Sequence, residues 1–115
     1  MKILTTAIFL RRLRDLLKTY PHVITDIEPL IKLLKQGETP GDRVQRVGGR
    51  AIFKVRAPNQ DAQSGKRGGY RVLYYLVDQD QRLLLTLYSK SERADISADE
   101  LLRILAEWEA EAPKA

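Results

Sequence analysis

The sequence predicts an α+β fold, with an N-terminal helical hairpin and a C-terminal helix packed on one face of a small, mostly antiparallel β-sheet. Three observations lead there. Apolar residues recur at helical spacing in the first third of the chain and again near its end. Between those stretches the spacing becomes that of strands, in runs separated by short turns. No internal repeat and no linker-like stretch interrupts the 115 residues, so the expectation is a single domain over residues 1–115.

In chain order, KILT at residues 2–5 reads as a short first strand. Phe9, Leu13, Leu16, Leu17 and Tyr20 then fall at i, i+4, i+7, i+8 and i+11, one face of an amphipathic helix that Pro21 ends. Ile27, Leu30, Ile31 and Leu34 form the stripe of a second helix, stopped by Gly37. A capping box of Thr25 and Glu28 is available to start it, although Pro29 then falls just past the first turn. ETPGD turns the chain. RVQRV and RAIFKVR follow as strands joined by a tight Gly48-Gly49 turn. A polar loop at 58–69 precedes YRVLYYLV, an almost unbroken β-branched and aromatic run typical of a central strand, and RLLLTLYSK pairs back onto it. The last helix starts near Ser97 or Ala98 and carries Leu101, Leu102, Ile104, Leu105 and Trp108 as its apolar positions.

Composition and charge narrow the function. A 43% hydrophobic content fits a folded protein, and the absence of cysteine excludes disulfides and thiolate metal sites. The N-terminal apolar run is too short and too rich in arginine for a secretory signal, and no stretch approaches the roughly 20 apolar residues that span a bilayer. A cytoplasmic protein is expected. Residues 43–71 hold eight basic side chains against Asp61 alone, a net of +7, more than the +5 of the whole chain. Residues 93–115 carry three basic and six acidic side chains, so a basic body is followed by an acidic helix. Cations held on a sheet point to a preformed phosphate site.

Strand alternation sharpens that site. In RAIFKVR, Ile52, Lys54 and Arg56 share one face and Ala51, Phe53 and Val55 the other. With Phe53 and Val55 against the helices, Lys54 and Arg56 point out of the open face. Arg71, Leu73 and Tyr75 share a face of the next strand. A register that brings Arg71 beside Lys54 or Arg56 clusters three like charges, which destabilises a sheet unless a polyanion neutralises them. Exposed sheet charges in water are the plainer alternative. The lone histidine, His22, sits in the interhelical turn, so a His-based nuclease or metal cluster is excluded. GKRGGYR lacks the strand-to-helix context of a phosphate-binding P-loop. Asp95, Asp99 and Glu100 read as acids serving a helix N-terminus. Tyr70, Tyr74, Tyr75 and Tyr88 read as packing residues that can also stack on bases.

FKVR, then GKRGGYRVLYYLVD, then LLLTLYSKSERADIS before a final helix, together with a helical hairpin ending LLKQGETPGD, resemble the RelE/HigB toxins of bacterial type II toxin–antitoxin modules. The likeness covers nearly the whole chain and is closest to the HigB-like branch. It implies the RelE-like fold and a ribosome-dependent mRNA endonuclease that cuts message in the A site without metal or cofactor. The 2′-hydroxyl attacks its own 3′-phosphate, which requires a base, cations on the phosphorane oxygens and an acid for the leaving oxygen.

Carried over by position, Lys54, Arg56, Arg71 and Lys90 are the candidate catalytic residues. Lys54 is the base or charge stabiliser, and Arg71 the phosphate clamp. Arg50, Lys66, Arg67 and Tyr88 are the candidate RNA contacts. Ser91 and Ser97 stand where some RelE members carry an arginine and a tyrosine, so either Tyr88 or another residue takes over the stacking or acid role, or the division of labour differs. The implied partners are the ribosome with its mRNA and a small antitoxin, often of helix-turn-helix type, with no membrane involved. Two other readings stay open: a ParE-like toxin acting on DNA gyrase, and a non-catalytic RNA-binding module.

Overall fold

The computed structural model describes residues 1–62 and 68–111. Their elements run β1 (Lys2–Thr5), α1 (Ala7–Thr19), α2 (Val23–Lys35), β2 (Asp42–Arg43), β3 (Ile52–Ala57), β4 (Tyr70–Leu76), β5 (Gln81–Ser89) and α3 (Ala98–Glu111). The strands form one sheet in the order β1-β5-β4-β3-β2, with β1 parallel to β5 and the other pairs antiparallel. The α+β class stands.

Thr6 starts α1. Its Oγ1 accepts the Phe9 N–H at 2.9 Å and donates to the Leu85 carbonyl at 2.7 Å, so one side chain caps the helix and ties it to β5. Because β1 is only four residues long, α1 continues alongside the second half of β5 and covers the sheet edge there. After Pro21, α2 begins at Val23 behind His22, which makes no side-chain capping bond. The Thr25–Glu28 box is therefore not the start of this helix: Thr25 lies inside it, and so does the exposed Pro29. The chain leaves α2 through Gly37 at φ +87°.

The helices are divided between the two sides of the sheet. Phe9, Leu16, Val23, Ile27, Leu30 and Leu34 of the hairpin pack with Val72, Tyr74, Leu84 and Leu87. Leu101, Ile104 and Leu105 of α3 pack instead with Ile52, Leu73, Leu83 and Leu85. This corrects the one-face arrangement. The unbroken apolar runs of β4 and β5 supply large side chains to both faces, and a strand buried on both faces loses its polar alternation. A bulge helps. Leu73 lies opposite Thr86 and Tyr74 opposite Leu84, so Leu85 is one residue extra, and Leu87 returns to the hairpin side.

The expected RVQRV strand is reduced to Asp42–Arg43. Beyond it the chain bends, with Arg46 at φ +65°, and drops Val47 into the α3-side core at 1% exposure. Burying Val47 outweighs extending an edge ladder. The Gly48-Gly49 turn is in place, both residues having positive φ. Among the described residues no helix is long and apolar enough to cross a membrane.

Candidate anion-binding site

Three neighbouring strands bring the site together. In the β3–β4 register Arg56 is the direct partner of Arg71 and Lys54 the partner of Leu73; in the β4–β5 register Arg71 faces Tyr88. A row Arg56–Arg71–Tyr88 thus crosses the sheet on the α3 side, with Lys54 beside it on the same face of β3. At its β5 end Tyr88 joins the core cluster that holds Leu101, Ile104 and Leu105 of α3. Phe53 and Val55, on the other face, pack toward the hairpin, in keeping with the alternation. Gly69 holds the entry to β4 at φ +102°, where a Cβ would lie 2.6 Å from the Ala57 carbonyl oxygen, so no larger residue fits.

Arg71 is the unusual member. It is only 8% exposed, and among the described residues no carboxylate lies within ion-pair distance of it. Its Nη1 makes one long bond, 3.4 Å, to the Tyr70 carbonyl. A buried, unpaired guanidinium facing a second arginine across a strand pair is costly until an anion arrives. Arg56 is exposed beside it and borders a cleft of about 480 Å³ with Ala57, Pro58, Asn59, Gln60, Gly68 and Gly69.

One carboxylate closes the other side. Asp95 Oδ1 accepts from Ile96 N at 2.8 Å, from Lys54 Nζ at 3.3 Å and from the Tyr88 hydroxyl at 3.4 Å. The Ile96 N–H, followed by Lys54, holds the Asp95 carboxyl below the usual range. Burial, reinforced by the Asp95 charge, pushes the Tyr88 phenol up, so it is protonated at neutral pH. Tyr88 is 6% exposed, and the Arg93 guanidinium lies over its ring at 5.8 Å. The ring is therefore not free to stack on RNA, and its hydroxyl is the part that faces the site.

Lys90 is exposed one residue past β5, and its Nζ donates to the Ala94 carbonyl at 2.7 Å within its own turn. Among the described residues its side chain makes no hydrogen bond or ion pair with Arg56, Arg71 or Tyr88. Arg50 is elsewhere. Its Nη2 donates to Glu109 Oε2 at 2.6 Å, and its guanidinium lies 5.2 Å over the ring of Tyr75, four residues along β4 and so about 13 Å from Arg71. The acidic end of α3 draws it away from the proposed RNA surface. Lys66 and Arg67 lie outside the described residues. Ser91 shares a hydrogen bond with Ser89 at 2.9 Å and another with Tyr20 at 3.2 Å, and Ser97 Oγ accepts the Glu100 N–H at 3.1 Å as the cap of α3.

Three residues that the sequence reading assigned to no site belong here. Asp95 and Glu100 are more than helix-start acids, and Arg93 joins them. Glu100 accepts from Arg12 Nη2 at 3.0 Å and from both terminal nitrogens of Arg93, which hold its carboxyl below the usual range. The alternation of cation and acid through SERADISADE was the available signal. Its pairing depends on α1 supplying Arg12, which no local pattern reveals. Among the described residues no group of three or more His, Asp or Glu side chains gathers to hold a metal ion.

On the far side of the hairpin, His22 Nδ1 meets Asp61 Oδ1 at 2.7 Å and its backbone N–H donates to Asp61 Oδ2 at 2.8 Å. Asp26 accepts from both Gln60 N and Gln60 Nε2. The start of the polar loop after β3 is thus clasped to the N-terminus of α2. No protein-family model matches this chain.

Proposed function

We propose that this protein is an RNA-cleaving toxin of the RelE/HigB kind: a cytoplasmic, ribosome-dependent mRNA endonuclease that stops translation and is held in check by a cognate antitoxin. The observation that carries the reading is Arg71, a nearly buried guanidinium without a carboxylate, set opposite Arg56 and next to Lys54. Phosphate is the anion with the charge and the number of acceptor oxygens to satisfy such a group, and arginine grips it through paired N–H donors.

The positions support one course of reaction. The scissile phosphate rests between Arg56 and Arg71, whose donors meet the two non-bridging oxygens as negative charge grows on the phosphorane. Lys54, steered by Asp95, stands on the side from which the 2′-hydroxyl approaches, as base or as charge stabiliser. The 2′-oxygen forms its bond to phosphorus while the bond to the 5′-oxygen breaks. The proton lost by the 2′-hydroxyl goes to the base, and the 5′-oxygen leaves with one from an acid. The Tyr88 phenol, protonated and turned toward the site, fills the role that Ser91 and Ser97 do not. The products are a 2′,3′-cyclic phosphate and a free 5′-hydroxyl.

Primer extension on a defined mRNA in a reconstituted translation reaction tests this. Cuts that need ribosomes, fall in register with the codon and vanish with Arg71→Ala are expected. Intact message with wild-type protein overturns the reading, and inhibited supercoiling in a gyrase assay would then favour the ParE-like alternative.

A further inference from the structure

We propose that the guanidinium of Arg93 is the plane on which an unpaired nucleobase stacks beside the reacting phosphate, and that Glu100 is the positioning residue that holds this plane. The inference rests on the RNA-cleaving reading of the site. It starts from a shortage: single-stranded RNA is gripped largely through stacking on flat side chains, and the tyrosines and Phe53 of the sheet are already used, while Trp108 lies beside β1, away from the cations. Tyr70 and Tyr74 have no exposure and Tyr20 has 9%. Phe53 stacks on Tyr74. Tyr75 lies under Arg50, and Tyr88, the aromatic nearest the cations, lies under Arg93.

Arg93 is built as a platform. Its Nε donates to the Asp95 carbonyl at 2.8 Å, its Nη1 to Glu100 Oε2 at 3.2 Å and its Nη2 to Glu100 Oε1 at 2.5 Å. Three bonded nitrogens fix the plane of the group completely. The Tyr88 ring backs it, while 36% of the side chain stays open to solvent. The support is itself braced, since Glu100 is held by Arg12, and Arg12 Nη1 donates to Thr86 of β5 at 2.6 Å. Two guanidiniums share one carboxylate, so the trio keeps a charge of +1 and still attracts a polyanion. The platform is also in register with the chemistry: the same Asp95 that takes Arg93 Nε through its carbonyl takes Lys54 Nζ through its carboxylate. A base lying on Arg93 therefore belongs to the nucleotide next to the phosphate between Arg56 and Arg71.

The test is a cycle of cleavage rates on programmed ribosomes, with intact message and with message lacking the base beside the cut. Wild-type protein should lose about tenfold in kcat/KM when that base is removed, the scale of one stacking contact, chiefly through KM. Arg93→Lys, which keeps the charge and discards the plane, should lose about tenfold on intact message and nothing further on abasic message. Glu100→Gln should show the same loss of base dependence in weaker form, since the plane is then loosened rather than removed. Should Arg93→Lys fail to fold, Arg93→Gln takes its place in the cycle. Cleavage by wild type that ignores the missing base, or losses from the two changes that multiply, overturns the inference while leaving the nuclease standing. Wild-type protein that does not cut at all overturns both.

Discussion

Arg71 sits where a charge is least welcome: between strands, nearly out of water, with Arg56 as its cross-strand partner. Binding-site residues pay for themselves in the bound state, which is why truncating one should cost activity and not the fold. Arg71→Ala and Lys54→Ala are each expected to lower kcat by about 10²-fold or more, the usual effect of removing one preorganised donor from a charge-developing site. Arg71→Ala should also leave thermal stability equal or slightly raised, because it removes repulsion with Arg56; a clear fall in Tm would mean that Arg71 is structural. His22 offers a second residue-scale prediction. Its hydrogen bond to Asp61, with the attraction between their charges, raises the imidazole pKa above 6.5, while the same contact lowers the Asp61 carboxyl below 3.8. The His22 contribution is complete below pH 6.5 and fades as pH rises through the raised value. The Asp61 contribution is present above pH 3.8 and is lost as pH falls through the lowered one. The clasp is thus tightest in mildly acidic solution, and an NMR titration of His22 should show a midpoint above 6.5 that Asp61→Asn abolishes.

At the scale of elements, Thr6 does two jobs at one junction, capping α1 and bonding to Leu85 at the bulge of β5. Thr6→Ala should cost about 1–2 kcal/mol, measured by urea unfolding, because a cap and a buried hydrogen bond disappear together; a loss under about 0.5 kcal/mol would show that water replaces both. Helices and central strands were legible because period and length are local properties. The face alternation of Lys54 and Arg56 was readable for the same reason. What was not readable came from burial: Val47 leaves the ladder to enter the core, and the extra Leu85 changes which side chains meet α3. Tyr88 and Arg50, the expected RNA contacts, are each occupied: Arg93, five residues on, lies over the first, and Glu109, far away in sequence, bonds the second.

For the molecule as a whole, the uneven charge of the sequence does not become two opposed sides. The acids of the last helix fold back onto the basic body, Glu100 onto Arg12 and Arg93, and Glu109 onto Arg50. This neutralises one part of the cationic surface, while Arg56 and Arg71 meet no carboxylate among the described residues. Binding to programmed ribosomes should weaken as salt rises, and Arg56→Ala should flatten the slope of log K against log[salt] by about one; an unchanged slope would place Arg56 outside the phosphate contacts. The parallel pairing of β1 with β5 has a consequence in time. Residues 2–5 find their hydrogen-bond partners at residues 81–84, so β1 waits for a strand synthesised long after it. Loop closure over such a span is slow. The segment that carries Asp95, Arg93 and Glu100 is later still. A chain under synthesis therefore holds its arginines before it holds the groups that aim them.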